Sequence, residues 1–297
     1  MDLSKKQFEI LEKLATGKNL SQRQLKESAG FSLGLVNKIM QELKEKNAVE
    51  NGRITEEGFS LLEPYRVRRA VFLAAGLGAR LAPITFNTPK PLIRVKDQRI
   101  IDTLLDACYA AGIKEIYVVR GYLAEQFDQL LYKYPSVTFL ENPEYNEGNN
   151  IGSAMAARDY LSNAYVFEAD ILLYNPALIR PYHYSSNFLG IRQQRCDDWC
   201  CRVRDGIIRE ELLGAEGDDV YRMVGISYWD KPDGEKLSRD IAGVYAGPGG
   251  KERYWEQVPL VYRKDHYRVA LRECKSSDLD EIDTFKELKT IDRTYSI

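Results

Sequence analysis

The residues that most often announce a function are scarce in this sequence. There are two histidines, His183 and His266, and five cysteines with no CxxC pair among them. Cys196, Cys200 and Cys201 cluster, but both histidines lie far from them in the sequence, so the spacing of a tetrahedral zinc site is missing. An odd number of thiols behind the polar opening MDLSKKQF, which carries no export signal, argues against a disulfide framework and predicts buried thiols. No apolar run approaches the roughly 20 residues that span a bilayer, so no membrane insertion and a cytoplasmic location are expected. Charge of one sign is lacking too: a net charge of −2 with 29% charged residues excludes a nucleic-acid coat or a polybasic anchor. Internal repeats, low-complexity stretches, the GxxxxGK[ST] phosphate loop and the dinucleotide GxGxxG spacing are all missing.

What is present is concentrated in Ala70–Val95, AVFLAAGLGARLAPITFNTPKPLIRV. The apolar run Ala70–Ala75 reads as a buried strand that empties into Gly76 and Gly78. Two such glycines can be no more than a tight turn, yet without side chains their N–H groups can also close on a phosphate chain. Arg80 adds charge, and Lys90 stands between Pro89 and Pro91, which stiffen the backbone that aims it. Together these point to an anion site.

The rest of the chain, 297 residues at 44% hydrophobic, has room for one large domain and a small one. Residues 1–65 read as a small winged helix-turn-helix domain. Ser4 with Gln7 and Ser21 with Gln24 are capping-box pairs, a third helix begins near Ser32, and Asn51-Gly52 is a hairpin turn between Ala48–Glu50 and Arg53–Thr55. The order resembles bacterial regulators of the multiple-antibiotic-resistance type. Its candidate reading face is Ser32, Gly34, Asn37, Lys38 and Gln41, with Glu42 and Glu45 close by. DNA binding and a dimerisation or regulatory role, with a homodimer as one outcome, both stay open. The short connection YRVRRA predicts domains that pack together.

Residues 69–297 alternate strand and helix at first. Strands are expected at Val71–Ala75, Glu115–Val119, Val137–Leu140 and Tyr165–Ala169, and helices at Ile100–Ala111, Ala124–Lys133 and Asn150–Leu161. That pattern implies a mixed, mainly parallel α/β sheet whose ligands sit beyond the carboxyl ends of the strands, where the glycine loop and Asp170 emerge. Antiparallel strands follow at Asn187–Gln193, Cys200–Arg204 and Val220–Tyr228, then helices at Glu235–Tyr245 and Lys251–Pro259, a strand at Tyr267–Glu273 and a last helix after Asp283, which is placed to cap it.

LAAGLGARLAPITFNTPKPLI resembles the signature of sugar-phosphate and alcohol-phosphate nucleotidyltransferases, whose sheet is of the GT-A-like, Rossmann-like type. From Ala70 onward the chain is most similar to bacterial choline-phosphate cytidylyltransferases. The resemblance implies a reaction that joins CMP from CTP to a phosphorylated amino alcohol, first of all phosphocholine, with phosphoethanolamine, 2-aminoethylphosphonate or a sugar 1-phosphate as other acceptors. It implies Mg²⁺ on Asp170, which ends the FEAD strand, and Asp283 in EIDTF, with Lys90 and Arg80 as the catalytic cations; it gives Glu168 no ligand role. Nucleotide contacts are implied for Leu73, Ala74, Ala75, Gly76, Gly78 and Arg80, for Gly121 and Tyr122 in GYLAEQF, and for Tyr145, Asn150 and Ser153 in NPEYNEGNNIGS. The segments holding Trp199, Tyr228, Trp229, Asp230, Tyr254, Trp255 and Glu256 resemble the surroundings of a choline pocket. Aromatic faces suit a quaternary ammonium. Tryptophans also pack cores, and the order of these segments is what favours a cage. A reading of another class is a winged-helix transcriptional regulator whose α/β domain senses a nucleotide or a choline metabolite.

Overall fold

The structure is a computed structural model that describes residues 3–17 and 20–296. Met1, Asp2, Lys18, Asn19 and Ile297, which the expected domain bounds include, lie outside the described residues. The chain divides into two compact units, Met1–Arg66 with Tyr182–Tyr184, and Val67–Pro181 with Ser185–Ile297. No helix among the described residues is long and apolar enough to cross a membrane. All five cysteines are free and buried.

The first unit holds α1 (Lys5–Leu14), α2 (Gln22–Ala29), α3 (Leu33–Glu45), the hairpin β1 (Val49–Glu50) with β2 (Arg53–Ile54), and α4 (Glu56–Leu62). Both expected capping boxes form at Ser4 and Ser21, and Ser32 caps α3. The hairpin turns through Asn51 and Gly52, both at positive φ, as a two-residue turn of this handedness requires. Phe8, Leu11, Leu25, Val36, Ile39, Leu43 and Leu62 close a small core. Helix α4, for which the sequence reading had no element, starts where Thr55 accepts from the Gly58 N–H. Its Gly58 lies so close to the Ala48 carbonyl oxygen, 2.3 Å from where a Cβ would stand, that no side chain fits.

In the second unit β3 (Arg69–Leu73) is followed by the small hairpin β4 (Arg94–Val95) and β5 (Gln98–Arg99), then α5 (Ile100–Ala110), β6 (Glu115–Arg120), β7 (Val137–Glu141), α6 (Ile151–Ala157) and β8 (Ala164–Glu168). After them come β9 (Ile171–Leu173), β10 (Asn187–Arg192), β11 (Arg195–Arg204), β12 (Ile207–Glu216), β13 (Val220–Trp229), α7 (Lys231–Tyr245), β14 (Ala270–Cys274), β15 (Leu279–Glu281) and α8 (Phe285–Ile291). Nine strands form one sheet among the described residues, in the order β10-β14-β12-β11-β13-β8-β3-β6-β7. Strands β8, β3, β6 and β7 are parallel, and β13 joins β8 antiparallel. The chain leaves β3 to one side for β6 and β7, then returns to its other side for β8. The strand order therefore reverses at β3, and a crevice opens at its carboxyl end.

The alternation of side chains along each strand sorts the core into two faces. Phe72, Phe167 and Tyr228 pack with α5 on one, while Val71, Val166 and Trp229 pack with α6 and α7 on the other. Two expected helices take other forms. Ala124–Tyr132 is a 3-10 segment entered through Leu123 at φ 48° and tied down by the Gln126 amide on the Asn87 carbonyl at 2.7 Å. Lys251–Pro259 breaks into short turns because neighbouring loop residues take up its backbone groups. The Trp255 N–H donates to the Asn150 side chain at 2.8 Å, and the Lys251 carbonyl accepts from the Asn149 N–H at 2.7 Å.

Candidate active site

The crevice is a cavity of ≈ 480 Å³ lined at one end by the glycine loop, Leu73–Arg80, and at the other by Asn142–Ser153, with Lys90, Glu168, Asp170, Glu281 and Asp283 on its floor. Gly78 turns the loop at φ 61°, and a Cβ there would stand 3.1 Å from Lys90 Cβ, so glycine meets both the backbone and the packing demand. A Cβ on Gly76 would meet nothing within 4 Å, which leaves that part of the loop open to the cavity.

Asp283 reaches the site by strand pairing. Antiparallel β15 sets Glu281 opposite Ile171 of β9, and the Ile282 N–H donates to the Asp170 carbonyl at 3.1 Å. Leu172, Ile282 and Leu288 pack with Leu81, Ile93 and Ile100, which fixes this appendage beneath the glycine-loop segment. The expected cap of α8 by Asp283 is not the one formed: Thr284 caps it, leaving the Asp283 carboxylate for the site.

Lys90 Nζ donates to Asp170 Oδ2 at 2.8 Å and to Asp283 Oδ1 at 2.9 Å, and Arg80 donates to the same Asp283 oxygen at 2.7 Å. Burial pulls the Lys90 pKa down, but the two carboxylates more than offset it, so the ammonium stays charged through neutral pH. The other oxygen of Asp170, Oδ1, is buried without a donor. Carboxylate oxygens of Glu168, Asp170 and Glu281 lie within 4.8 Å of one another. Burial, then the neighbouring acids, raise Glu168 and Glu281 well above the usual carboxylate range. An all-oxygen cluster that keeps an unpartnered carboxylate oxygen on Asp170, despite Lys90 on Asp170 and Arg222 on Glu281, fits a hard divalent cation. Glu168, given no ligand role from the sequence, belongs to this cluster, whereas the implied ligand Asp283 is taken up by Lys90 and Arg80.

Glu168, Glu256 and Glu281 also line an adjoining recess of ≈ 50 Å³ together with Phe188, Asp198, Trp199, Glu211, Met223 and Trp255. Gly225 admits it: a Cβ there would come within 2.6 Å of the Glu168 side chain. Glu211 is 9% exposed, and among the described residues neither of its carboxylate oxygens has a donor and Glu256 Oε2 and the Trp255 indole N–H have no partner. Burial lifts Glu211 to about 7, and burial followed by the charge of Glu211 lifts Glu256 to about 8.

Six of the expected contacts are not in these spaces. Ala75 points into the core, and its carbonyl accepts from the Tyr122 N–H. The Tyr122 hydroxyl donates to the Thr85 carbonyl at 2.8 Å, and Gly121 lies against Tyr145, so that a Cβ there would stand 2.7 Å from the Tyr145 Cβ and 2.8 Å from its ring. These two hold the site from behind. Tyr228 is buried on the far face of the sheet, and Trp229 is buried with its N–H on Ser227 at 3.0 Å. Neighbours on a strand face opposite ways, so this pair cannot share a cage. The Asp230 carboxylate is spent capping α7. Leu73, Ala74, Gly76, Gly78, Arg80, Tyr145, Asn150 and Ser153 line the cavity, as does Tyr254, while Trp199 and Trp255 line the recess and Glu256 lines both. The Asn150 amide is largely engaged, accepting from the Trp255 N–H and donating to Glu168 at 3.2 Å, so it braces the wall between the two spaces.

Sequence reasoning missed Glu211, Glu281 and Phe188. The acids sit in strands of mixed charge with no local mark, and only strand pairing brings them in.

Residues 69–188 match the family described as Nucleotidyl transferase. The chain is 36% identical over 231 residues to a 2-aminoethylphosphonate cytidylyltransferase of Lancefieldella rimae, covering 76% of this chain and 92% of that one. It is 30% identical over 228 residues to a choline-phosphate cytidylyltransferase of Streptococcus pneumoniae, covering 75% and 96%. The solved structure of the CTP:phosphocholine cytidylyltransferase from Streptococcus pneumoniae superposes with a TM-score of 0.69 at 29% identity, covering 77% of this chain and 99% of that one.

Proposed function

The chain belongs to the nucleotidyl transferase family and is a cytidylyltransferase, and from that premise we propose that it joins CMP from CTP to a small acceptor with a phosphate or phosphonate at one end and an ammonium at the other. One observation carries this reading: the cavity with the glycine loop, Arg80 and Lys90 shares Glu168, Glu256 and Glu281 with an adjoining acid- and tryptophan-lined recess. The first space suits phosphate and the second suits a cation, so a molecule charged oppositely at its ends spans both. Phosphocholine, phosphoethanolamine and 2-aminoethylphosphonate have this form, and a sugar 1-phosphate does not.

In the reaction an oxygen anion of the acceptor's phosphoryl or phosphonyl group attacks the α-phosphorus of CTP. The bond from that phosphorus to the bridging oxygen breaks, and pyrophosphate leaves with the electron pair. A phosphate monoester loses its second proton near pH 6, so the nucleophile is already an anion and no general base is needed. Lys90, held by Asp170 and Asp283, places positive charge where the attacking oxygen and the α-phosphoryl group gather negative charge. Arg80 at the rim and the glycine-loop N–H groups face the departing pyrophosphate. Glu168, Asp170 and Glu281, with Asp283 beside them, would hold Mg²⁺, which supplies charge neutralisation for the triphosphate. The family's expected pair is thereby widened by Glu168 and Glu281.

Pyrophosphate release from the four NTPs, each against phosphocholine, phosphoethanolamine, 2-aminoethylphosphonate and glucose 1-phosphate, tests the reading. CTP with an amine-bearing acceptor is the expected productive pair. Turnover confined to the sugar phosphate would refute it.

We also propose that the first unit is a winged-helix accessory module with a regulatory or dimerising role. Its helices and hairpin support the winged-helix reading, and Ser32, Gly34, Asn37, Lys38 and Gln41 are exposed. Gln41 bonds Glu45 at 3.2 Å and Lys38 pairs with Glu42 at 4.0 Å, so acidic neighbours blunt the face that would meet a DNA backbone. A salt-dependent gel shift of duplex DNA by the full chain would reverse that preference, and sedimentation reads the dimer.

A further inference from the structure

The recess makes a finer distinction than the presence of positive charge. The side chains lining it carry three carboxylate oxygens without a donor among the described residues: both oxygens of Glu211 and Oε2 of Glu256. A buried acceptor left unpaired is costly, and the remedy is a donor. A primary ammonium offers three N–H donors; a quaternary ammonium offers none, since its charge is sheathed in methyl groups.

We propose that this recess is built for an ammonium that carries hydrogens, so that the acceptor is a primary amine bearing a phosphate or phosphonate, and that Glu211 is the residue that selects it. The inference rests on the amine-acceptor reading above and reverses the order of preference expected from the sequence, in which phosphocholine came first. Glu211 enters from β12, and the recess also faces Asp198 from β11, Glu168 from β8, Glu281 from β15 and Glu256. Asn150 occupies Glu168, and Arg222 pairs with Glu281 at 3.0 Å. Glu211 has no such partner on either oxygen, whereas Glu256 lacks one on Oε2 alone, so Glu211 is the acid with most to offer the ligand. Trp199, Trp255 and Phe188 line the same space, and their ring faces are compatible with either type of head, so they attract a cation without counting its hydrogens.

The test is a methyl series on the unaltered full chain. Pyrophosphate release at saturating CTP is measured for phosphoethanolamine, its N-methyl and N,N-dimethyl derivatives, phosphocholine and 2-aminoethylphosphonate. The expected kcat/KM falls with each methyl, by at least tenfold from the primary amine to the quaternary one. The two primary amines tell a phosphate ester from a phosphonate. In Glu211→Gln the selectivity for primary amine over phosphocholine should shrink at least tenfold, chiefly through the KM of the amine. Phosphocholine turned over as efficiently as the primary amines overturns the proposal while the amine-acceptor reading stands. So does a Glu211→Gln variant with an unchanged preference. Release with sugar phosphates and with no amine overturns both.

Discussion

The most exacting consequence of the recess concerns stability, and it can be read with no substrate present. The perturbation is Glu211→Gln, which keeps the shape of the side chain and removes its titration. Glu211 is nine-tenths buried without a donor, and burial raises its carboxyl from 4.5 to about 7. At about 1.36 kcal/mol per tenfold change in proton affinity, that displacement is worth about 3 kcal/mol. The sign follows from proton counting. Between pH 4.5 and pH 7 the folded protein keeps a proton that the unfolded chain has released, so stability falls as pH rises through that window and levels off above it. Glutamine has no proton to lose. Its advantage over the wild type is therefore small at pH 5 and approaches about 3 kcal/mol at pH 8. For a unit of this size, with roughly 2–4 °C per kcal/mol, the gain in Tm is about 2–3 °C at pH 5 and roughly 6–12 °C at pH 8. Any cost of a buried amide is the same at both pH values, so the change between them is the diagnostic quantity. Glu168, Glu256 and Glu281 face the same recess; loss of the Glu211 charge also lowers the Glu256 carboxyl, which adds to the gain at high pH in the same direction, so the variant is compared with the wild type at each pH. The assay is thermal unfolding from pH 5 to 8 without Mg²⁺ or acceptor, since a bound cation would hold Glu211 ionised. Parallel Tm curves for the two proteins would refute the buried, unpartnered state of this carboxyl.

Three further outcomes follow from the site. Lys90→Met should lower kcat by about 10²–10³ with a smaller effect on CTP affinity, because its charge acts at the reacting phosphorus; steady-state kinetics giving the reverse split would make Lys90 a binding residue only. Asp170→Asn removes a carboxylate from the cation cluster and a partner from Lys90, so activity should fall at least 10²-fold at saturating Mg²⁺; near-normal turnover would remove Asp170 from the metal site. Gly121→Ala places a methyl group against Tyr145, 2.7 Å from its Cβ and 2.8 Å from its ring. It should raise the KM for CTP several-fold at a stability cost of about 1–3 kcal/mol, and an unchanged KM would show that Tyr145 does not contact the nucleotide.

The legible parts of this protein are those written in consecutive residues. The capping boxes at Ser4 and Ser21, the Asn51-Gly52 turn, the strand before Gly76 and the alternation of strand and helix to Asp170 depend on neighbours within a few positions. The sequence also marked Lys90, Arg80, Asp170 and Asp283, and the structure gathers all four into one ion-pair network. Residues read as a group because they stand together in the sequence fared differently. Tyr228, Trp229 and Asp230 are consecutive, and for that reason a strand and a helix start send them to three separate places.

The sequence by itself determined the anion site, because a glycine turn after a buried strand, with cations set close to it, is a local arrangement of backbone and charge, and the family resemblance of the same stretch supplied the class of chemistry. Only the tertiary structure assembled the recess. Trp199, Trp255 and Glu256 were marked in the sequence, but Glu211 from β12, Glu281 from β15 and Phe188 from β10 share no sequence signal with them. They meet because antiparallel pairing brings distant strands side by side, and burial then turns ordinary carboxylates into groups that need a cation.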